Sequence, residues 1–173
     1  MDILSGLFLN VACTMTPAVN AAKKAGISFQ LLRYKHDPAA ASYGLEAAEM
    51  LNVDAARVFK TLLFCLDGMP GNLGVAIVPV SSQMNLKTAA AALGAKKAAM
   101  ADVQIAEKIT GYLVGGISPI GQKKPLPTLI DSSAGQFATI LVSAGRRGLE
   151  IELTPADLLE ICSAKKVDSL VMY

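Results

Sequence analysis

Lys60 stands inside an apolar run, Val58-Phe59-Lys60-Thr61-Leu62-Leu63-Phe64-Cys65-Leu66. A lysine in such a run either reaches an anion or snorkels its ammonium out along an edge. Burying it unpaired is costly, so a ligand carboxylate, phosphate or carbonyl oxygen is a reason to keep it. The second stretch that invites chemistry runs from Gly111 to Pro125 and packs Gly111, Gly115, Gly116, Gly121, Ser118, Pro119 and Pro125 between apolar residues. Its backbone must take conformations that side chains forbid, and it can continue neither a helix nor a ladder. Bare amides in such a loop can converge on an anion, or on a carbonyl gaining negative charge. A tight connection between strands is the plainer use. Lys123 and Lys124 follow at once, and Ser118 sits on the restricted backbone before Pro119. There is no Gly-Lys-Ser/Thr and no dinucleotide fingerprint, so the loop suits a non-phosphate oxyanion or the ester end of a ligand.

From residue types alone the candidate site is Lys60, Gly115, Gly116, Ser118 and the polar strand ends Asp131 and Ser143. No nucleophile and base stand at motif spacing, so conventional covalent hydrolysis is not supported. His36 is the single histidine and builds neither a metal centre nor a Ser-His-Asp relay by itself. Cys13, Cys65 and Cys162 are far apart with no CxxC, which suggests neither a disulfide framework nor a zinc site. No metal and no cofactor is expected, and the cysteine usage points to a reducing, cytoplasmic setting.

The chain of 173 residues fits one domain, large enough to bury roughly two thirds of the surface its unfolded form exposes. A net charge of +2 gives no global field for DNA or membrane, so any polyanion must be held by local clusters. Such clusters exist as the adjacent pairs Lys23-Lys24, Lys96-Lys97, Lys123-Lys124, Arg146-Arg147 and Lys165-Lys166, each of which also fits a solvated element end. No apolar run approaches the roughly 18 residues that span a bilayer. Residues 1–14 read as a loose extension with Met15 as an alternative start, and 15–173 as the domain.

The elements that must position these residues follow from caps and periodicity. Thr16-Pro17 opens a helix closed at Gly26, Ile27 to Tyr34 is a strand, and Tyr43 to Leu51 is a short helix before a turn at Asp54 to Arg57. Val58 to Leu66 and Leu73 to Pro79 form a hairpin with a loop from Asp67 to Asn72. A helix from Asn85 to Gly94, an extended Ala98 to Met100, and a helix capped by Asp102 lead into the glycine loop. Three strands follow, Thr128–Asp131, Phe137–Ser143 and Leu149–Leu153, the last alternating apolar and acidic as a half-exposed strand does. Ala144 to Gly148 is their connection, and Thr154-Pro155 starts a final helix to about Cys162. The fold class is α+β: one domain with a mixed, largely antiparallel, curled sheet of about six or more strands and surrounding short helices.

Six segments together resemble the YbaK/ProX family of aminoacyl-tRNA trans-editing deacylases. They are Met15–Val19, Val58–Leu63, Leu86-Lys87, Ala92–Lys97, Thr110–Lys124 and Arg147–Leu153. The resemblance covers nearly the whole chain from Met15 onward, and its two most specific segments, around Lys60 and Gly115, lie far apart and in order. It implies a free-standing enzyme that removes a wrong amino acid, chiefly cysteine, from tRNA(Pro) mischarged by prolyl-tRNA synthetase, its transient partner. The need is physical, because cysteine enters a proline pocket and binding alone separates similar apolar volumes poorly. By family position Lys60 is the residue most tied to activity, and Gly115, Gly116, Ile117, Ser118 and Pro119 border the amino acid pocket. Tyr34, Thr61, Ser143 and Gly145 line it by the same carry-over. Glu150 stands where the family often has aspartate, which leaves the role of that position open.

The resemblance implies substrate assistance, in which the cysteine thiol attacks its own ester carbonyl and the tRNA leaves. Amides near Gly115 to Ser118 would then meet the oxyanion, and Lys60 would place the carbonyl oxygen or terminal adenosine. Lys96, Lys97, Lys123, Lys124, Arg146 and Arg147 are the candidates for acceptor-stem phosphates. The alternatives are a deacylase that uses water on another small amino acid such as alanine, and a noncatalytic module that grips tRNA or a synthetase. An oligonucleotide-binding domain stacks bases on sheet aromatics, and a chain with 5% aromatics and no tryptophan has few to offer.

Overall fold

The computed structural model describes residues 15–172; the expected extension at 1–14, with Cys13, lies outside the described residues. Helix α1 (Pro17–Lys24) starts where expected, with the Thr16 hydroxyl accepting from Val19 N and proline in the first turn. It leads through Gly26, in the left-handed region, to β1 (Gln30–Arg33). Helix α2 (Tyr43–Met50) is capped by Ser42, and a short 3-10 turn at Ala55–Arg57 delivers the chain to β2 (Phe59–Leu66).

Strand β3 (Met69–Pro79) returns antiparallel to β2. The expected six-residue loop from Asp67 to Asn72 is instead a two-residue turn, Asp67 and Gly68, both at positive φ. Such a turn matches the right-handed twist of a hairpin. Pro70 to Asn72 form an irregularity, because Leu66 pairs with Met69 while Cys65 pairs with Leu73. Then come β4 (Gln83–Met84), α3 (Leu86–Ala92, capped by Asn85), β5 (Ala98–Met100) and α4 (Val103–Thr110, capped by Asp102 and ended at left-handed Gly111).

The later strands are β6 (Thr128–Asp131), β7 (Ile140–Arg146) and β8 (Leu149–Leu153). A 3-10 turn at Ser132–Gln136 precedes β7, which starts at Ile140 and not at Phe137 as expected. Strand β7 runs on to Arg146, with an irregularity after Ser143, so the connection shrinks to Arg147-Gly148. Helix α5 (Pro155–Ile161) follows the Thr154 cap. Strands β9 (Lys165–Val167) and β10 (Val171–Met172) were not expected, since a charged three-residue edge strand and a two-residue one carry no periodic signal.

The class is the expected α+β. The strands are dealt into a five-stranded mixed ladder (β5-β2-β3-β6-β9), a three-stranded antiparallel one (β1-β8-β7) and the pair β10-β4. The two larger ladders meet at a single bridge, Val58 to Leu141, so the curl does not close. Between them lies the largest core: Phe59, Ile77 and Ile130 face Ile140, Val142, Leu149, Ile151 and Leu153, sealed by α1 and Leu158 of α5. The opposite face of the five-stranded ladder is covered by α3, and Ala106 of α4 packs on Leu63, Leu73 and Val75.

One expectation about β8 is corrected. Glu150 is not a solvent-facing alternation partner: it is buried, 7% exposed, because α2 covers that face through Ala47 and Ala48 against Leu141 and Leu32. Glu152, two residues on, is the half-exposed one, held by Arg57 Nη2 at 2.8 Å and Thr139 Oγ1 at 2.6 Å.

Candidate active site

Strand β2, the start of α2, the start of α4 and the glycine loop enclose a cavity of ≈ 340 Å³. Its wall holds Lys60, Thr61, Gly115, Ile117, Ser143 and Glu150, with Tyr43, Val58, Met100, Val103 and Ala106 supplying apolar surface. Lys60 is half buried and has no ion pair or hydrogen bond among the described residues. Burial alone lowers its pKa from the ordinary lysine value. The Thr61 hydroxyl is buried and has no partner among the described residues. Buried polar atoms are ordinarily paired, so Thr61 keeps an unmet hydroxyl at a cavity that is also lined by Lys60, an ammonium with no protein partner among the described residues.

The rest of the expected site divides into wall and support. Ser118 is fully buried, and its hydroxyl accepts from Ile120 N at 3.2 Å, so it shapes the loop. Pro119 O accepts from Cys162 Sγ at 3.3 Å on the far side, a thiol that burial pushes up to about 12 and keeps unreactive. Gly116 is buried with its amide bound to Leu113 O at 2.9 Å. Gly115, Ile117 and Ser118 amides have no acceptor among the described residues. Gly145 does not line the cavity; a Cβ there would meet the Tyr112 ring at 2.8 Å, and its amide donates to Ser143 Oγ at 3.2 Å, which orients that hydroxyl. Tyr34 stands behind the wall, where burial and then the charges of Glu150 and Glu46 push its phenol up to about 12. Asp131 belongs elsewhere, its carboxylate accepting from Ser133 N and Leu170 N to tie down the C-terminal segment.

Glu150 is the member that residue patterning missed, because its alternation with Leu149 and Ile151 reads as solvent. It has no hydrogen-bond or ion-pair partner among the described residues, and burial pushes its carboxyl up to about 8. Folded Glu150 therefore holds its proton up to that pH, whereas the unfolded chain releases it near 4.5. The sign follows: stability contributed here is complete below the unfolded value and is lost as pH rises toward 8. Glu150→Gln has no such loss, so the melting-temperature difference between variant and wild type should widen in favour of the variant between pH 5 and about 8. A constant difference across that window would place the carboxyl in water.

Lys96, Lys97, Lys123, Lys124 and Arg146 are all exposed. Arg147 is different: Nε and Nη2 both donate to Val114 O, at 3.0 and 2.6 Å, and its guanidinium lies 4.6 Å from the Tyr43 ring centroid. No group of three or more His, Cys, Asp or Glu residues that could hold a metal occurs among the described residues, and none of their helices is long and apolar enough to cross a membrane.

The model of the aminoacyl-tRNA editing domain family matches residues 37–161, which contain the whole cavity wall. A protein of Enterococcus faecalis named as a Cys-tRNA(Pro)/Cys-tRNA(Cys) deacylase, EbsC, is 41% identical over 118 residues, covering 68% of this chain and 71% of that one. Among solved structures, the hypothetical protein APE2540 superposes with TM-score 0.79 at 21% identity, over 91% of this chain and 100% of its own. A structure described as a trans-editing enzyme for prolyl tRNA synthetase gives TM-score 0.73 at 20% identity, over 92% and 99%. At those identities the two structures speak for the fold alone.

Proposed function

The chain belongs to the aminoacyl-tRNA editing domain family and is an aminoacyl-tRNA deacylase, and from that premise we propose that it clears cysteine from mischarged tRNA(Pro) in trans to prolyl-tRNA synthetase. The observation that supports this most is the pairing, in one cavity of ≈ 340 Å³, of an unpaired half-buried Lys60 with the open amide of Gly115. That volume falls at the small end of ligand sites. Its apolar wall of Val58, Ile117, Met100, Val103 and Ala106 suits a small uncharged side chain. The relative from E. faecalis, named for cysteinyl-tRNA substrates, supports the choice of amino acid.

The chemistry needs no protein nucleophile. The cysteine Sγ attacks its own carbonyl carbon, a C–S bond forms in a four-membered thiolactone, and the ester C–O bond to the ribose breaks. The thiol proton ends on the ribose hydroxyl, and water opens the released thiolactone later. Chain residues hold the geometry: the Gly115 amide and Lys60 face the carbonyl oxygen as it gains charge, while Thr61 and Ser143 offer hydroxyls to the rest of the aminoacyl ester. A water-using deacylation of another small amino acid is the second reading. Glu150 bears on it, because a cavity carboxyl whose pKa burial raises to about 8 becomes a base for water only as pH climbs toward that value, so a water mechanism through Glu150 predicts a rate that rises from neutral pH toward 8.

Single-turnover hydrolysis of Cys-, S-methyl-Cys-, Ala- and Pro-tRNA(Pro) separates the two. Thiol assistance requires that Cys-tRNA(Pro) be cleared fast and S-methyl-Cys-tRNA(Pro) at least 10-fold more slowly. Equal rates for the two would support the water mechanism, and clearance of neither would remove the proposal. The exposed basic pairs give a further expectation. If about four of these side chains neutralise phosphates, tRNA affinity should fall roughly 10²-fold between 50 and 200 mM salt. A flat response in filter binding would leave them as solvated surface.

A further inference from the structure

The Val114 peptide groups are gripped from two sides by charged side chains. Val114 N donates to Glu107 Oε1 at 2.9 Å, and Val114 O receives both Nε and Nη2 of Arg147. The second grip has a directional consequence. In a trans peptide the carbonyl of one residue and the N–H of the next point in opposite directions, and no cis peptide occurs among the described residues. A guanidinium on Val114 O therefore leaves the Gly115 N–H facing away from Arg147. Arg147 is on the exposed side, Gly115 lines the cavity, and the Gly115 amide has no acceptor among the described residues. Resting on the deacylase reading above, we infer that Arg147 is a positioning residue, holding the Val114 carbonyl so that the Gly115 amide is aimed into the cavity as the oxyanion donor.

The surroundings are built for that grip. The Arg147 guanidinium is stacked on Tyr43, whose ring also lies 5.6 Å from His36, and His36 Nδ1 is 2.8 Å from the buried Glu46 carboxylate. Tyr43 is thus a backed surface, not a loose one. Gly115 takes φ +86°, and a Cβ there would stand 2.6 Å from Arg147 Nε and 3.0 Å from the Tyr43 ring, so a side chain would prise the clasp apart. Hydrogen bonds to a carbonyl also polarise its peptide group and strengthen the N–H on the other side. An arginine kept for tRNA phosphate would have little use for a carbonyl that occupies two of its donors.

The two roles leave different traces. Arg147→Lys keeps the charge and loses the fork, and Arg147→Ala loses both. With the tRNA substrate saturating, the single-turnover rate should fall about 10-fold or more for each, while tRNA affinity and its salt slope stay within about twofold. Added guanidinium ion should restore part of the rate to Arg147→Ala. A phosphate contact predicts the reverse, a weaker tRNA complex with a salt slope reduced by about one and an unchanged saturated rate, and that result would overturn the inference. So would rates and affinities equal to wild type. The 1H–15N resonance of the Gly115 amide gives a readout independent of turnover: it should move upfield in Arg147→Lys as the peptide loses polarisation. If wild type deacylates no mischarged tRNA, the functional reading fails, and that resonance still decides the clasp; an unmoved Gly115 amide would sink it.

Discussion

Lys60→Ala should yield a folded protein whose single-turnover deacylation has dropped 10²- to 10³-fold, a loss of about 3 to 4 kcal/mol in transition-state stabilisation, the amount typical for removing one preorganised donor. The argument begins with what Lys60 does not do. It makes no ion pair and no hydrogen bond among the described residues, so deleting it orphans no partner in the fold. Burial lowers its pKa, so holding the ammonium there costs the folded state. Lys60→Met, which keeps the apolar stem and removes the charge, should therefore melt at or above the wild-type temperature while losing activity as Lys60→Ala does. The sign with pH is opposite to that of Glu150. The unfolded chain binds the proton more tightly, so the stability gap between Lys60→Met and wild type should close as pH rises toward the ordinary lysine range. Full activity in both variants would return Lys60 to the snorkelling role that an apolar strand also permits.

The second large effect is expected at a residue that touches no substrate. Gly116→Ala should lower the deacylation rate on the order of 10²-fold, the scale of an ångström-sized displacement of positioning groups. A Cβ on Gly116 would stand 2.6 Å from Arg146 Cα and 2.9 Å from Arg147 N, and these are backbone atoms at the end of β7 and in the turn to β8 that cannot swing aside. The glycine loop must then lift from that turn, carrying Gly115 and Ile117 away from Lys60 and breaking the reach of Arg147 to Val114. Gly135→Ala is the matched control, since nothing lies within 4 Å of its added methyl and its φ is not positive. Equal rates for Gly116→Ala and wild type would mean that the loop is not held where the activity needs it.

Much of the site's frame was legible because each signal was local and chemical. Thr16-Pro17, Asn85, Asp102 and Thr154 each cap a helix through a side-chain oxygen, a pattern written in a few adjacent residues. Lys60 was visible as a charge in an apolar run, and the glycine loop as a segment that no regular element accepts. What escaped depends on contacts between distant segments. Glu150 alternates with apolar neighbours as a surface residue does, and only the packing of α2 over that face turns it inward. Arg147 reads as half of a basic pair, and only the approach of Val114 and Tyr43 converts it into a clasp. Ser118 was chosen for its type and Gly145 by family position, yet one folds its hydroxyl into the loop and the other makes room for Tyr112 and Thr16.

A crystal structure with 3′-cysteinylamino-3′-deoxyadenosine, an amide analogue that cannot be released as the ester can, bears most directly on the role of the cavity. The expected complex places the aminoacyl carbonyl oxygen within hydrogen-bond distance of the Gly115 amide and the Lys60 ammonium, with the cysteine side chain against Ile117 and Val58. An analogue bound elsewhere, or bound here with Lys60 turned to solvent and its carbonyl away from Gly115, would contradict an editing site built on these two residues.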